Sequence, residues 1–333
     1  MAIDLTPLTS LHRLLFAIRL KPLQGHRFQP TGFPALGAAT YRTEDGESLL
    51  VESAQSMANR LELTVWDEAN QDVKSELEGI SHVRINRPDD TFLTDTILES
   101  HRLNSPHLLE DSKKAFFHDL QAELGVMETG PINRKTLAEV LLKYDVGSLL
   151  HGVFLAKKEL AGGRLRVARS LSAFIEADGV EVAPSGGVKN DHVNPQGDTK
   201  VGFGNVPFAR DEYTAKRLTL YVNLDLAQIR GFGLNEPVER MLVLLALYKL
   251  RALLDAGLRL RTACDLTVAQ EDITSTSTGD FQLPRLAEIC TDLRNAIDAC
   301  RERMLVTRTV YADKLKVKRE DSQNASDAAA TGE

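Results

Sequence analysis

The sequence predicts an α+β protein whose core is ferredoxin-like or RRM-like, with a mainly helical insertion and a projecting glycine-rich hairpin. Three observations predict this fold class. The chain begins with an apolar strand, a turn-rich loop and an amphipathic helix, which is how a ferredoxin-like unit starts. Residues 66–146 are acidic and partly helical in pattern. Residues 183–212 are rich in glycine, proline and polar side chains, which is typical of a functional loop.

The composition favours a cytoplasmic protein. The 333 residues are 43% hydrophobic, which is enough for at least one full core. No apolar run reaches the length of a membrane span, and the first ten residues lack the basic start and apolar core of a signal peptide. Cys264, Cys290 and Cys300 have no metal-site spacing. We therefore expect reduced thiols, no metal, no cofactor and no membrane partner.

The charge is unevenly distributed along the chain. The net charge of −7 argues at first against a nucleic-acid binder. Residues 61–150 carry −8, however, whereas residues 1–60 carry +1 and residues 151–333 carry zero. Because binding depends on the local field, the segments outside 61–150 can still present a basic groove.

The first predicted strand is Leu14 to Leu20, and the loop from Gly25 to Gly37 follows it. Basic and aromatic residues alternate in this loop. Arg27 suits a phosphate, Phe28 suits an unpaired base, and Gln29 is a further polar contact, so the loop is a candidate RNA contact. The alternative is that Phe28 plugs the edge of the core.

A short amphipathic helix around Ser53 to Leu61 is the next predicted element. Its apolar face consists of Ala54, Met57, Ala58 and Leu61. The start of a helix presents free N–H groups to an anion, and the forked guanidinium of an arginine one turn later suits a phosphate. The candidate binding residues are Ser53 (the predicted N-cap), Gln55, Ser56, Asn59 and Arg60. The alternative is a solvated polar face.

The acidic segment of residues 66–146 is predicted to be a mainly helical insertion. Its predicted elements are a strand His82–Ile85 and helices Phe92–His101, Ser112–Leu124 and Arg134–Tyr144, the last capped by Asn133. The histidines at 82, 101, 107 and 118 have no paired-ligand spacing. They are therefore expected to be surface or capping residues rather than metal ligands.

The core resumes with a predicted strand Ser148–Ala156, and a helical run is predicted over Ser170–Ala177. Between them lie three arginines that could bind phosphates or pair with the acidic insertion. They are Arg164, Arg166 and Arg169.

The polar stretch from Ala183 to Arg210 is predicted to be a projecting hairpin or a disordered loop. Its candidate contacts are Lys189, His192 and Lys200. The neighbouring pair Asp191–His192 also permits acid-base cleavage of RNA, although no preorganised site accompanies it.

The C-terminal part of the chain is predicted to complete the core. Its predicted elements are a strand Lys216–Leu226, a buried helix Glu236–Ala256 between the cap Asn235 and Gly257, a strand Leu258–Leu266, and an amphipathic helix Pro284–Leu305. Arg259 and Arg261 lie two residues apart and therefore on one face of their strand. Residues 311–333 are predicted to be a basic and then disordered tail.

Several of these stretches together resemble a known family. They are GHRFQPTGF (Gly25–Phe33), FPALGAATY (Phe33–Tyr41), LVESAQSMANRLE (Leu50–Glu62), RLRVARSLSAFIEA (Arg164–Ala177), GGVKNDHV (Gly186–Val193) and LRLRTACDL (Leu258–Leu266). The chain resembles the backbone subunit of the type I-G (formerly I-U) CRISPR Cascade complex, of the RAMP superfamily. In that family the first helix carries Ser-x-Gln-Ser and a following arginine, matched here by Ser53, Gln55, Ser56 and Arg60.

The resemblance implies a non-catalytic scaffold for antiviral defence. Copies would stack head to tail along a crRNA guide, with target DNA pairing to the guide and other Cascade subunits as further partners. It also implies a division into palm, fingers and thumb. The corresponding ranges are 1–65, 147–182 and 213–310 for the core, 66–146 for the fingers, 183–212 for the thumb and 311–333 for the tail.

Two other functions remain open at this point. The first is a RAMP-type endoribonuclease that processes precursor crRNA or cuts target RNA, although the histidines are scattered. The second is a cytosolic α/β protein with a small-molecule ligand, although the sequence has no phosphate loop or dinucleotide fingerprint.

Overall fold

A seven-stranded antiparallel sheet forms the centre of the protein, in a computed structural model that describes residues 2–33, 37–44, 46–112, 114–125 and 130–314. The strands are β1 Arg13–Pro22, β2 Gly32–Phe33, β3 Gly37–Ala38, β4 Thr40–Thr43, β5 Gly46–Glu52, β6 Trp66–Asp67, β7 Asp72–Val73, β8 His82–Asn86, β9 Phe92–Asp95, β10 Val153–Leu155, β11 Leu165–Val167, β12 Leu171–Lys189, β13 Val206–Asp225, β14 Leu258–Arg261, β15 Cys264–Val268 and β16 Val306–Val310. The helices are α1 Ala54–Leu63, α2 Pro106–Leu109, α3 Ala115–Leu124, α4 Arg134–Tyr144, α5 Gly147–His151, α6 Leu226–Gly231, α7 Glu236–Asp255 and α8 Leu286–Cys300.

The order of strands in the large sheet is β14-β15-β1-β13-β12-β5-β4. β1 pairs with β13 from Arg13↔Asp225 to Leu20↔Leu218, and its side chains alternate between buried and exposed. This alternation is why the sequence adopts a strand with one face on the core. The predicted α+β class and the strands at 14–20 and 216–226 are confirmed.

The two longest strands form a hairpin that leaves the sheet. β12 pairs with β13 as far as Lys189↔Val206, whereas β5 stops pairing with β12 at Asp178. The ten residues 180–189 of β12 and their partners on β13 therefore continue past the sheet as a two-stranded ribbon, with one bridge at its base between Phe28 and Tyr213. Since a strand rises about 3.3 Å per residue, this ribbon reaches about 30 Å beyond the sheet. Together with the connecting residues 190–205 at its tip, we call it the β12–β13 ribbon.

The helix predicted over Ser170–Ala177 is wrong, because these residues begin β12. Leu171, Ala173, Ile175 and Ala177 are buried at every second position. The strand has hydrogen-bonded neighbours on both sides, β13 and β5. Pairing on two sides satisfies the backbone groups and overrides the helical pattern of this short run.

The long helices have the ends that the sequence predicts. Asn235 caps α7 by accepting a hydrogen bond from the Val238 amide, Pro237 lies in its first turn, and Gly257 follows it at φ +83°. α7 packs against α8, whose apolar side chains Ile289, Leu293, Ile297 and Cys300 are buried. α1 packs against β12 and α7.

The segment 66–146 contains a small sheet as well as helices. β8 and β9 form a small sheet with β16, which runs parallel to β8 from the far end of the chain. The helix predicted over Phe92–His101 is wrong, since β9 and turns occupy it, while α3 and α4 confirm the other two helices. Side chains of this segment belong to the same hydrophobic cluster as the sheet.

Two further predicted strands differ from the structure. Ser148–Ala156 forms α5 and then β10, separated by Gly152 at φ +78°, where a Cβ would lie 2.7 Å from the Val167 carbonyl oxygen. Leu258–Leu266 forms the β14–β15 hairpin instead of one strand. Of the tail at 311–333, residues 315–333 lie outside the described residues.

The histidine at 82 is neither a surface nor a capping residue, contrary to the prediction. It is buried, and its Nδ1 lies 2.6 Å from a carboxylate oxygen of Asp95, which is also buried. Across the described residues, no group of three His, Cys, Asp or Glu side chains could hold a metal ion. Among the same residues, no helix has the length and apolar character needed to span a membrane.

Candidate nucleic-acid interface

A buried carboxylate holds together several of the arginines predicted to bind RNA. Glu52 ends β5 and is 2% exposed. It accepts hydrogen bonds from Ser56 Oγ and from Arg261, and Arg60 Nε lies 3.3 Å from its Oε1. We call these four residues the Glu52 cluster. The buried charge is paired, as a buried carboxylate requires, and two guanidinium groups are fixed in place.

The same guanidiniums join three segments that are far apart in sequence. Arg60 donates to the carbonyl oxygens of Arg259, at 3.3 Å, and Leu260, at 2.8 Å. Arg261 donates to the carbonyl oxygen of Gln29 at 2.7 Å. The start of α1, β14 and the loop before β2 are therefore held as one unit. Both arginines remain partly exposed, at 28% and 23%.

The start of α1 is built as the sequence predicts. Ser53 Oγ accepts a hydrogen bond from the Ser56 amide at 3.2 Å, which makes Ser53 the N-cap. Met57, Ala58 and Leu61 are buried, while Gln55 and Asn59 are exposed. The predicted apolar and polar faces of α1 are thus confirmed.

An open groove runs beside the Glu52 cluster. It has a volume of 570 Å³ between the loop before β2, strand β3 and the base of the β12–β13 ribbon. Arg27 links loop and ribbon, because its Nη1 donates to the carbonyl oxygen of Pro184 at 3.2 Å. We call this the loop–ribbon groove. The residues that line it include Gln29, Thr31, Ala209, Arg210, Tyr213 and Arg261.

Phe28 does not offer its ring to a base. The residue is 1% exposed, and its backbone pairs with Tyr213 through two hydrogen bonds of 2.9 Å. The stacking role predicted for Phe28 is corrected to the alternative that the sequence left open, a plug at the edge of the core. Gly25, His26 and Arg27 are exposed in this loop, and Gln29 is partly buried.

The three arginines after Gly163 separate into two environments. Arg164 donates to the carbonyl oxygens of Ala161, at 3.1 Å, and Gly130, at 3.3 Å. Arg166 and Arg169 are exposed and line a second, larger cleft. This cleft lies near the start of β12, whereas the ribbon tip follows the end of β12. Neither Arg166 nor Arg169 makes an ion pair with an acidic residue of the described part of 66–146.

The tip of the ribbon carries the remaining predicted contacts. Lys189, His192 and Lys200 are all exposed. Asp191 accepts hydrogen bonds from the amides of Val193, Asn194 and Gly204 at 2.8, 3.0 and 2.9 Å, and these bonds hold the pKa of its carboxyl below its ordinary value. Asp191 therefore organises the loop, and its oxygens are committed to backbone groups rather than to the proton chemistry considered from the sequence.

Sequence reasoning missed several residues around these surfaces. Glu52 lies in the stretch Leu50–Glu62, but no role was predicted for it, and Arg13, Arg134 and Phe154 were not singled out. The signal for Glu52 was a lone carboxylate directly after an apolar run. The partners of Arg13 and Glu52 lie up to 212 positions away, which no local pattern reports.

The comparison with protein families shows which family the chain belongs to. A family model described as CRISPR-associated protein GSU0053 (Cas_GSU0053) matches residues 14–182, just over half of the chain. The chain belongs to this family. Membership confirms the predicted resemblance to a RAMP-type CRISPR backbone subunit, while the I-G subtype stays a prediction.

The match to the GSU0053 family covers β1, the loop with Arg27, the Glu52 cluster as far as Arg60, and the first part of β12. It ends where the β12–β13 ribbon leaves the sheet. Comparison with curated proteins gives no significant match.

Solved structures of CRISPR proteins are similar to this GSU0053-family chain over most of its length. A chain of a "CRISPR RNA-guided surveillance complex, pre-nicking" is 16% identical, with 87% of this chain and 89% of that chain covered and a TM-score of 0.42. A chain of a "CRISPR RNA-guided surveillance complex" is 16% identical, with 87% and 84% covered and a TM-score of 0.36. Csc2 of Thermofilum pendens is 10% identical, with 90% and 80% covered and a TM-score of 0.32. The family match alone carries the identification.

Proposed function

We propose that this chain is a non-catalytic backbone subunit of a type I CRISPR Cascade complex, of subtype I-G, that binds crRNA in the cytoplasm. Copies assemble head to tail along the guide, alongside other Cascade subunits, and leave the guide bases free to pair with target DNA. The seven-stranded sheet is the palm, residues 66–146 are the fingers, and the β12–β13 ribbon is the thumb.

The observation that carries the proposal is the loop–ribbon groove beside the Glu52 cluster. The cluster fixes Arg60 and Arg261 with part of each side chain exposed, and Arg27 and Arg259 add exposed positive charge on the neighbouring elements. Fixed, forked donors along an open groove suit the phosphates of a single strand. Such contacts hold the backbone of a nucleic acid and carry no sequence information.

The ribbon supplies the second requirement of a filament, a surface for the next copy. Its outer half exposes Val193, Val201, Phe203 and Phe208 at 95%, 68%, 52% and 50%. Apolar side chains exposed to this extent on a projecting element are typical of a protein–protein contact. Lys189, His192 and Lys200 lie on the same ribbon and are proposed to contact the guide that passes beneath it.

The experiment is a size and nucleic-acid analysis of the chain produced together with a repeat-spacer RNA, before and after ribonuclease treatment. We expect a large species that contains intact guide RNA and falls apart when the RNA is digested. Arg27→Ala and Arg259→Ala should each weaken RNA binding about tenfold, because a charge-assisted hydrogen bond contributes about 1.5 kcal/mol.

The matched control is Arg42→Ala, an exposed arginine on the edge strand β4 whose side chain makes no hydrogen bond to another described residue. It should leave RNA binding unchanged. A chain that stays monomeric and free of RNA contradicts the proposal. A chain that shortens the RNA at one site favours the RAMP-type endoribonuclease instead.

A further inference from the structure

A second cleft lies on the side of the molecule formed by the start of α4, the end of α5, the β10–β11 hairpin and α6. Its volume is 1060 Å³, which is at the upper end of the range of small-ligand sites. It is separate from the loop–ribbon groove, with which it shares no lining residue. We call it the His151 cleft.

His151 is buried in the wall of this cleft with both ring nitrogens unused. The residue is 1% exposed, and neither Nδ1 nor Nε2 has a hydrogen-bond partner within the described part of the chain. Burial lowers the pKa of His151 well below its ordinary value, and the positive charges of Lys249, Arg102 and Arg169 act in the same direction. The ring is therefore neutral near pH 7 and offers one donor and one acceptor. Buried polar atoms normally have hydrogen-bond partners, so the two unpartnered ring nitrogens indicate a site for a polar ligand.

Positive charge dominates the mouth of the same cleft. Arg134, Arg166 and Arg169 line it, are exposed, and make no ion pair or side-chain hydrogen bond to another residue that the structure describes. Arg13 also lines it but is paired with Asp225, the only acidic residue among the described lining residues. The field inside the cleft therefore favours an anion with several oxygens, such as a phosphate.

An aromatic ring lies beside one of these arginines. Phe154 on β10 pairs directly with Arg166 on β11 in an antiparallel ribbon, so both side chains lie on the same face. Phe154 is 52% exposed although it is flanked by the buried Val153 and Leu155. An exposed ring beside a guanidinium is the arrangement on which an unpaired base stacks while its phosphate is held.

We propose that the His151 cleft binds a nucleoside phosphate, with the base stacked on Phe154, the phosphate held by Arg166 and Arg169, and His151 hydrogen-bonded to a polar edge of the ligand. The ligand is either an unpaired nucleotide within a strand or a free nucleotide, since both present the same base and phosphate. The proposal goes beyond the scaffold function, because it concerns a single chain and needs neither a guide nor assembly.

The test is calorimetric titration of the full chain, free of RNA, with adenosine 5′-monophosphate, a five-nucleotide oligoadenylate and inorganic phosphate. Phe154→Leu should weaken binding of both nucleotide ligands about tenfold, as expected for loss of one stacked base. Arg169→Ala should weaken them to a similar extent. Tyr41→Leu, an exposed aromatic side chain on β4, and Arg42→Ala are the matched controls and should change nothing.

The source of the nucleotide is given by comparing the two nucleotide probes. Oligoadenylate that binds at least tenfold more tightly than the monophosphate indicates a strand, and equal affinity indicates a free nucleotide; either result supports the site. Absence of binding by both, or equal loss in the control variants, overturns the proposal. Binding of inorganic phosphate as tight as that of the monophosphate, with Phe154→Leu inert, also overturns it.

His151→Leu adds a readout that a purely structural histidine would not change. The proposal expects the rise in melting temperature caused by adenosine 5′-monophosphate to disappear, while the melting temperature without ligand stays equal or rises because unpaired buried nitrogens are removed. A ligand-induced rise equal to that of the wild type contradicts the role of His151. If this variant does not fold, the Phe154 and Arg169 variants decide the outcome.

Discussion

At the scale of single residues, Glu52 holds the arginines of the Glu52 cluster in the candidate interface. Its carboxylate is almost fully buried and is balanced by Arg60 and Arg261, which come from α1 and β14. A buried charge without partners would cost several kcal/mol, so the two arginines and the carboxylate depend on each other. The arginines are consequently held in place in the free chain, which would lower the entropy lost in the proposed binding of a nucleic acid.

The first prediction concerns Glu52→Gln. The amide keeps the shape but removes the negative charge between two partly buried guanidiniums. We expect the free energy of unfolding to fall by about 3 kcal/mol, measured by urea denaturation at pH 7. Glu47→Gln on the same strand is the control, because Glu47 is exposed, and should change stability by less than about 0.5 kcal/mol. Equal effects of the two variants would contradict the structural role of Glu52.

The second prediction follows from the buried pair His82–Asp95. Burial alone lowers the pKa of His82, but the hydrogen bond and charge of Asp95, with Asp72 and Asp145, raise it above the ordinary 6.5. A raised histidine pKa stabilises the folded state fully below pH 6.5, and this stabilisation is lost as pH rises through the folded pKa.

The measurement is the free energy of unfolding of the wild type and of His82→Gln between pH 5.5 and 9. The wild type should be the more stable by the largest margin near pH 5.5, and the margin should narrow above pH 6.5. If the margin instead widens with pH, burial lowers the pKa of His82 by more than Asp95 raises it. The pair would then be weaker than the 2.6 Å separation of its atoms indicates.

The third prediction concerns Lys249 of α7, which is buried near Glu62 and Asp145. Burial lowers the pKa of Lys249 to about 8 despite the charge of Glu62. A lysine pKa below its ordinary 10.5 means that the folded state binds the proton less strongly than the unfolded chain, so stability should rise between pH 8 and 10.5.

Lys249→Met removes this dependence. We expect the variant to be at least as stable as the wild type at pH 7, because a buried charge is replaced by an apolar side chain. The free energy of unfolding of the wild type should then rise relative to that of the variant between pH 8 and 10.5, measured by urea denaturation at each pH. Lys158→Met, at an exposed position, should show no such change. A constant difference between wild type and Lys249→Met would refute the shift.

Local chemistry at single residues was predictable from the sequence, and distant partnerships were not. The caps Ser53, Asn133 and Asn235 each bond an amide three residues later, so the information lies within one turn. The burial of Phe28 and the pairing of Glu52 with Arg261 depend on where β13 and β14 lie in the sheet. A loop with alternating basic and aromatic residues is compatible with either outcome until that placement is known.

At the scale of elements, the same distinction explains which helices and strands were predicted. α7 and α8 carry apolar stripes over 15 residues or more, and a stripe of this length predicts a helix and not a strand. The start of β12 is short and fits both a helix and a strand. Its conformation depends on β13 and β5, which supply hydrogen bonds on both of its edges and make it a strand. The small sheet at 66–146 was missed because β16 pairs with β8 from more than 200 residues away.

The fourth prediction concerns the β12–β13 ribbon. Gly186 pairs with Ala209, so residues 187–208 can be replaced by Asn-Gly, a two-residue hairpin turn that keeps the register. The removed side chains are mostly exposed, and we expect the melting temperature to stay within about 3 °C of the wild type. Assembly into large RNA-containing particles, followed by size-exclusion chromatography, should be lost because the apolar contact with the next copy is gone.

The control for the ribbon separates apolar contact from charge. Lys189→Ala with Lys200→Ala removes two exposed positive charges but leaves Val193, Val201, Phe203 and Phe208 in place. This variant should bind RNA more weakly and still assemble at saturating RNA. Particles of normal size from the shortened chain would show that the ribbon is not the contact between copies.

At the scale of the whole molecule, net charge and local charge point in opposite directions. The chain carries −7 overall, and the excess of acidic residues lies between 61 and 150. The described lining of the His151 cleft contains five arginines and one carboxylate. That of the loop–ribbon groove contains Arg210, Arg261 and Asp211, and the exposed Arg27 and Arg259 lie on neighbouring elements. Charges separated by more than about 8 Å of solvent are largely screened at physiological salt, so the acidic segment does not cancel a groove elsewhere on the surface.

The fifth prediction tests this argument through the salt dependence of RNA binding. Each phosphate neutralised on a single strand contributes about −0.7 to the slope of log K against log salt. Arg27→Ala with Arg259→Ala should therefore make the slope less steep by about 1.4, measured by fluorescence anisotropy with a labelled unstructured RNA between 50 and 300 mM salt, roughly the range over which such slopes are determined.

The matched double variant is Arg42→Ala with Arg308→Ala, on β4 and β16; both residues are exposed, and neither lines the groove. It changes the net charge by the same amount as Arg27→Ala with Arg259→Ala. If binding followed total charge, the two double variants would alter affinity and slope equally. If it follows the local field, only the Arg27 and Arg259 double variant changes the slope, because counterions are released only where a phosphate meets an arginine. An unchanged slope in both would place the phosphate contacts on other residues of this chain.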